Sequence, residues 1–159
     1  MRIIHFAIIV FLFSLATGCL KNQDTQPCTP RTVESELPAM TKYATDSSIT
    51  TTSDASGILY QVIDQGTGAT PTLQSTVRVN YTGRLLNGTK FDENFTGANN
   101  QFALSGVIKA WQLMLPKIKA GGKIKFITPS IQAYSCNPYV PSYVNNQPLY
   151  FYVELISVQ

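Results

Sequence analysis

Thr76-Val77-Arg78-Val79-Asn80-Tyr81-Thr82-Gly83, followed after Arg84-Leu85 by Leu86-Asn87-Gly88-Thr89-Lys90-Phe91-Asp92, reads as a strand, a tight turn and a returning strand. Val77, Val79 and Tyr81 alternate with Arg78, Asn80 and Thr82, the two-residue period of a strand with one buried face. Asn-Gly is the dipeptide that most readily fills a two-residue hairpin turn, because both of its central positions need positive φ. The chain thus doubles back at 86–89, and its neighbouring strands run antiparallel.

Working outward, Ile58–Ile63 predicts a strand closed by the turn Asp64-Gln65-Gly66-Thr67-Gly68. Gln101–Leu104 predicts another short strand. Val107, Ile108, Trp111, Met114 and Leu115 recur at a helical period that Pro116 stops. The chain turns at 119–122, runs as a strand over Lys123–Thr128, loops through 131–146 and ends in a strand over Leu149–Val158. In that last strand Phe151, Val153 and Leu155 share a face. Five or so strands and one central helix make an α+β fold, an antiparallel sheet with the helix packed on one side. Before it, Ser35–Thr45 predicts a short helix capped by Ser35, with Pro38 in its first turn and Leu37, Met40, Tyr43 and Ala44 as its buried stripe. Residues 45–56 read as a connector or an edge strand.

The chain has 159 residues and a formal net charge of +3. The only basic cluster is Lys117, Lys119, Lys123 and Lys125. Lys123 and Lys125 alternate with Ile124 and Phe126, so they read as the wet face of a strand, with no arginine beside them to suggest a nucleic-acid partner. His5 is the single histidine, and it lies in an N-terminal apolar stretch, residues 3–15, preceded by Arg2. That stretch reads as a secretion signal over 1–18, too short for a first reading as a membrane-spanning helix. Without a histidine the secreted chain has no Ser-His-Asp or Cys-His nucleophile and no histidine zinc site, and no metal or other cofactor is expected.

Ala16-Thr17-Gly18-Cys19 resembles a bacterial lipobox, although the position three before the cysteine is Ala16 and the leucine, Leu15, stands one step further back. The resemblance implies cleavage before Cys19 and acylation of that residue, with several acyl chains giving firm anchoring; the other reading is an ordinary signal with an incidental cysteine. The protein is then expected at the bacterial cell envelope, lipid-anchored, on the outer membrane and facing the periplasm or the outside. Residues 19–31 are polar with Pro27 and Pro30 and read as a tether. Cys28 and Cys136 remain; in an oxidising compartment they can form a disulfide, and two free thiols are the alternative. Residues 32–56 are the N-terminal helix and connector, and 57–159 the main domain.

Six segments in order carry a further resemblance: Val79-Asn80-Tyr81-Thr82-Gly83; Leu86-Asn87-Gly88-Thr89-Lys90-Phe91-Asp92; Val107-Ile108-Lys109-Ala110-Trp111; Gly121-Gly122-Lys123; Pro129-Ser130 through Ala133-Tyr134; and Leu149-Tyr150-Phe151-Tyr152-Val153-Glu154-Leu155. From about Gly57 to Val158 the chain resembles an FKBP-type peptidyl-prolyl cis/trans isomerase domain. The resemblance implies an antiparallel sheet half-wrapped around one short helix. It implies a pocket for a proline ring lined by Phe91, Phe102, Val107, Ile108, Trp111 and Phe151, with Trp111 as floor and Tyr81, Asp92 and Tyr134 as the catalytic polar groups. Tyr134 would offer its hydroxyl to a substrate carbonyl. Proline-containing polypeptides would be the partners, and the absence of the long helical extension of dimeric members implies a monomer.

The chain departs from the family pattern at Asn100, where an aromatic is usual, at Ala110, where glycine is usual, and at Ser135-Cys136-Asn137 after Tyr134. These departures imply an altered pocket edge and weaker affinity for macrolide inhibitors. A non-catalytic chaperone or binding module of the same fold, or a structural lipoprotein whose pocket is only core, are the competing readings.

Overall fold

The computed structural model describes residues 27–95 and 100–159. The signal, Cys19 and most of the tether lie outside the described residues. Helix α1 spans Val33–Asp46, followed by strands β1 (Thr52–Ser53), β2 (Leu59–Asp64), β3 (Thr76–Leu85), β4 (Lys90–Asn94) and β5 (Gln101–Ala103). Helix α2 spans Lys109–Met114, and β6 (Lys123–Thr128) and β7 (Leu149–Val158) complete the set. Short 3-10 turns cover Leu104–Gly106, Leu115–Lys117 and Ser130–Gln132. The seven strands form one antiparallel sheet in the order β1-β2-β6-β7-β3-β4, with β5 also on β3. The α+β arrangement is as expected, with more strands than the five or so anticipated.

The sheet is sorted by the alternation of its strands. On β3, Val77, Val79, Tyr81 and Gly83 are buried while their neighbours are half-exposed. On β7, Leu149, Phe151, Val153 and Leu155 are buried in the same way. Those residues, with Ile124 and Phe126 of β6, meet Ala110, Trp111 and Met114 of α2 in the main core. Gly83 is required where it stands: a Cβ there would lie 2.6 Å from Phe91 Cζ and 3.1 Å from Phe151 Cε1. The β3–β4 turn places Gly88 at φ +89°, a conformation glycine adopts without steric cost.

Helix α1 differs from expectation in its cap and its buried face. Thr32, not Ser35, caps it, its side chain accepting the Ser35 N–H at 3.3 Å. Pro38 lies inside the helix, beyond the first turn. Leu37 is 40% exposed, whereas Glu36 is buried with Met40 and Ala44. The reason is what the helix lies on. Met40 and Ala44 pack with Ile49, Leu59 and Ile127 in a second apolar cluster, and Tyr43 meets the Tyr150 ring at 5.4 Å. Leu59, Ile127 and Tyr150 neighbour Ile58, Phe126 and Phe151, which belong to the main core, so α1 covers the opposite face of the sheet from α2. Among the described residues no helix is long and apolar enough to cross a membrane.

The β1–β2 turn is held by Asp54. Its Oδ1 accepts the Ser56 N–H at 3.0 Å and the Ser56 hydroxyl at 2.7 Å, and its Oδ2 pairs with Lys117 Nζ at 2.9 Å. Lys117 also sits 4.7 Å from the centroid of Tyr60. The Ser56 N–H and hydroxyl, helped by Lys117, hold the Asp54 carboxyl down to about 2. A carboxyl depressed on folding contributes stability above its unfolded value near 3.8 that is lost as pH falls toward 2. The urea midpoint of the wild type should therefore drop between pH 5 and about 2 more steeply than that of Asp54→Asn. Parallel curves for the two proteins would show that Asp54 contributes nothing to acid lability.

Candidate functional site

A cavity of about 310 Å³ opens between the sheet and the start of α2, within the size range of small-ligand sites. Tyr81 from β3, Asp92 from β4, Phe102 from β5, Val107 and Ile108 ahead of α2, Trp111 from α2, Phe151 from β7 and Tyr134 from the loop after β6 all line it. Eight of the nine residues assigned to the pocket from the sequence thus meet in one place. Gly106 joins them, unanticipated, because the 3-10 turn before α2 brings its backbone to the wall.

Phe91 does not line this cavity. It packs edge-on to Phe151 at 5.8 Å and lines a neighbouring cavity of about 170 Å³ with Asp92, Tyr134, Val140, Pro141, Tyr143 and Val144. The two cavities share Asp92 and Tyr134 as a common rim. Asn100 is likewise not on the pocket edge. It is 1% exposed, and its Nδ2 donates to Asn80 Oδ1 at 3.1 Å, on the face of β3 away from the cavity. The expectation that Asn100 alters the pocket edge is therefore corrected: its carboxamide is turned into the Asn80–Glu154 network.

Trp111, 5% exposed, is held by three aromatic edges. Tyr81 lies at 5.0 Å, Phe151 at 5.8 Å and Phe102 at 5.9 Å, each between 79° and 89° to the indole. Edge-to-face pairs of this kind add about 0.5–1.5 kcal/mol beyond area burial, so the floor of the cavity is rigid. The indole Nε1 is buried without a hydrogen-bond partner among the described residues. Gln112 fixes the wall beside it, its Nε2 donating to Val107 O at 2.8 Å and Ser105 O at 3.2 Å. A glutamine one residue past the tryptophan gave no sequence signal for this, because its partners are backbone carbonyls in and just after the 3-10 turn ahead of α2.

The polar groups sit at the rim. Tyr81 donates its hydroxyl to Asp92 Oδ2 at 2.8 Å. Burial first, then the hydrogen bond to Asp92, pushes the Tyr81 phenol well above its ordinary value. Burial, and then the nearby Asp92 charge, pushes the Tyr134 phenol up as well. Both hydroxyls are protonated donors across the neutral range. The Tyr81 proton is committed to Asp92, while the Tyr134 hydroxyl has no partner among the described residues. Chemically the site offers an aromatic-floored slot with, among the described residues, one hydroxyl donor not already engaged. Among the described residues, no cluster of His, Cys, Asp and Glu could hold a metal.

The loop that carries Tyr134 is anchored from outside the sheet. Cys28 and Cys136 are joined in a disulfide, with Cα atoms 5.6 Å apart. The bridge ties the segment before α1 to the position two residues after Tyr134.

Residues 68–156 match the family model described as FKBP-type peptidyl-prolyl cis-trans isomerase. The chain is 41% identical over 119 residues to the FKBP-type peptidyl-prolyl cis-trans isomerase FkpA of Escherichia coli strain K12, covering 74% of this chain and 43% of that one. It is 38% identical over 105 residues to the outer membrane protein MIP of Legionella longbeachae, covering 65% and 45%. The chain thus spans less than half the length of these curated relatives. Among solved structures, a peptidyl-prolyl cis-trans isomerase from Pseudomonas syringae pv. tomato superposes with a TM-score of 0.66 at 30% identity, covering 82% of this chain and 98% of that one.

Proposed function

The chain belongs to the FKBP-type peptidyl-prolyl cis-trans isomerase family, and on that footing we propose that it interconverts cis and trans Xaa-Pro bonds in polypeptides of the bacterial envelope. The observation that carries the reading is the aromatic-floored cavity where, among the described residues, the Tyr134 hydroxyl has no hydrogen-bond partner and that of Tyr81 is given to Asp92. The reaction needs nothing more. Rotation about the amide is opposed by a resonance barrier of roughly 18–20 kcal/mol, and uncatalysed prolyl isomerisation takes tens to hundreds of seconds. No bond to carbon is made or broken, so neither nucleophile nor metal is called for.

A proline ring on Trp111 places the preceding amide at the rim. The planar amide is polar, and the twisted transition state has lost resonance and carries less charge on oxygen. A dry slot disfavours the planar form relative to the twisted one. The Tyr134 hydroxyl can hold a substrate carbonyl and fix the chain in a bent pose. Asp92, by accepting from Tyr81, keeps that ring edge-on to Trp111 and the rim polar. The residue before proline packs at an apolar edge, which favours apolar Xaa.

Location at the envelope is supported by the N-terminal signal pattern, by the lipobox resemblance at Cys19 and by the printed name of the Legionella relative. The disulfide is consistent with an oxidising compartment. Acylation of Cys19, anchoring and a monomeric state belong to the same proposal.

The test is an Xaa-Pro peptide isomerisation assay on the chain lacking residues 1–19. Tyr134→Phe should lower kcat/KM about two- to tenfold, the reach of one neutral hydrogen bond. Asp92→Ala should lower it about tenfold, or ~1.4 kcal/mol. Both should leave the urea midpoint nearly unchanged. A folded wild type with no rate above the uncatalysed one, on several peptides, would move the assignment to a non-catalytic binding module.

A further inference from the structure

The loop that presents Tyr134 is built from two ends held together by Asn146. Its backbone N–H donates to Ser135 O at 2.6 Å, and its Oδ1 accepts from Ser130 Oγ at 3.4 Å. Ser135 N–H in turn donates to Ser130 O at 2.8 Å. Ser135 and Asn146 both adopt positive φ, 43° and 52°, where asparagine is among the better-tolerated side chains. Tyr134 is the residue immediately before this knot.

The segment ahead of α1 grips the same knot. Arg31 N–H donates to Asn146 Oδ1 at 3.2 Å, and Asn146 Nδ2 donates to Thr29 O at 2.9 Å. The asparagine side chain thus pairs with that segment almost as a strand neighbour would. The disulfide from Cys28 reaches Cys136 beside it. From α1, the Glu36 carboxylate, 2% exposed, accepts the Ser130 N–H at 2.7 Å through Oε2. Ser130 opens the 3-10 turn leading to Tyr134, so Glu36 serves as the side-chain cap that this turn lacks locally. A buried carboxyl group is costly without such a partner, and Glu36 Oε1 has none among the described residues. Retaining it where Leu37 could have turned inward is explained by the bond to Ser130.

Cys28, Thr29, Arg31 and Glu36 all precede the family match at 68–156. We infer that residues 28–36 are a clamp on the catalytic loop, with Asn146 and Glu36 as positioning residues that hold Tyr134 at the pocket rim. The inference rests on the isomerase reading and deepens it: the tether and α1 belong to the working site as well as to the outer core. The clamp acts through the direction of one hydroxyl. It therefore changes turnover more than substrate binding.

Four full-length variants test it: Asn146→Gly, which keeps the positive φ and removes the carboxamide, Glu36→Ala, Glu36→Gln, which keeps an acceptor for Ser130, and Tyr134→Phe. Glu36→Ala should lower kcat about three- to tenfold, the span of one lost hydrogen bond, and Asn146→Gly, which loses three, at least as much, with KM nearly unchanged in both. Glu36→Gln should restore most of the loss. In the Tyr134→Phe background the same two changes should cost nothing further, because the hydroxyl they aim is gone. Undiminished losses in that background, or no loss in the wild-type background, overturn the clamp. A second readout does not depend on activity. In protein labelled with 3-fluorotyrosine, the Tyr134 fluorine signal, assigned by its absence in Tyr134→Phe, should be single and sharp in wild type and broadened or split in Asn146→Gly and Glu36→Ala. An unchanged signal overturns the clamp even if wild type proves inactive, and inactivity alone counts only against the isomerase reading.

Discussion

Phe151→Ala should lower stability by about 3–5 kcal/mol, the largest effect expected of any single truncation in the pocket. Phe151 is 3% exposed and stacks on Phe126 at 5.3 Å, with Trp111 and Phe91 edge-on at 5.8 Å each. Its backbone pairs with Gly83 on one side and Phe126 on the other, in the middle of β7 between two hydrogen-bonded neighbours. The site therefore cannot close by moving the strand. Gly83 adds no side chain to fill the hole. Urea unfolding should show a lower midpoint with little change in slope, and Trp111 emission should shift to the red as water reaches the indole. A midpoint within error of wild type would mean the neighbouring rings collapse into the space, and that Phe151 is less central to the core than its contacts imply.

Opening the Cys28–Cys136 bridge should cost about 2–4 kcal/mol. The two cysteines are 108 residues apart, so the bridge shortens almost the whole described chain in its unfolded state. Loss of chain entropy on cross-linking grows with loop length, though only logarithmically. Oxidised, denatured protein should expose neither of these thiols to a thiol reagent, and reduced protein should expose both. Unfolding with and without reductant should then separate by a difference several times the error of the extrapolation. Identical curves would show that the bridge restricts the unfolded chain far less than its loop length implies.

The strands were legible because each has one buried face. Lys123–Thr128 and Leu149–Val158 occupy the spans their alternation implies, and the Asn87-Gly88 turn falls between β3 and β4. Most of the pocket was legible too, since six ordered motifs carry it. What was misread shares a cause. Leu37 and Glu36 could not be ranked from helical period alone, because α1 lies on Leu59 and Ile127, outward residues of strands distant in sequence. Phe91, on the short strand β4, and Asn100, just before β5, stand off the main cavity because the direction of a side chain there depends on what its neighbours leave open.

From its own letters the chain determined an antiparallel α+β fold, the residues that line one aromatic-floored cavity and a pair of cysteines able to meet. Alternation, turn chemistry and motif order are local properties, and they survive in a string of residues. The tertiary structure alone decided that Glu36 reaches Ser130 and Asn146 reaches Thr29 and Arg31. Those contacts join residues about a hundred positions apart, and no periodicity records them. They exist because α1 covers the outer face of the sheet and brings the chain before it against the loop that holds Tyr134.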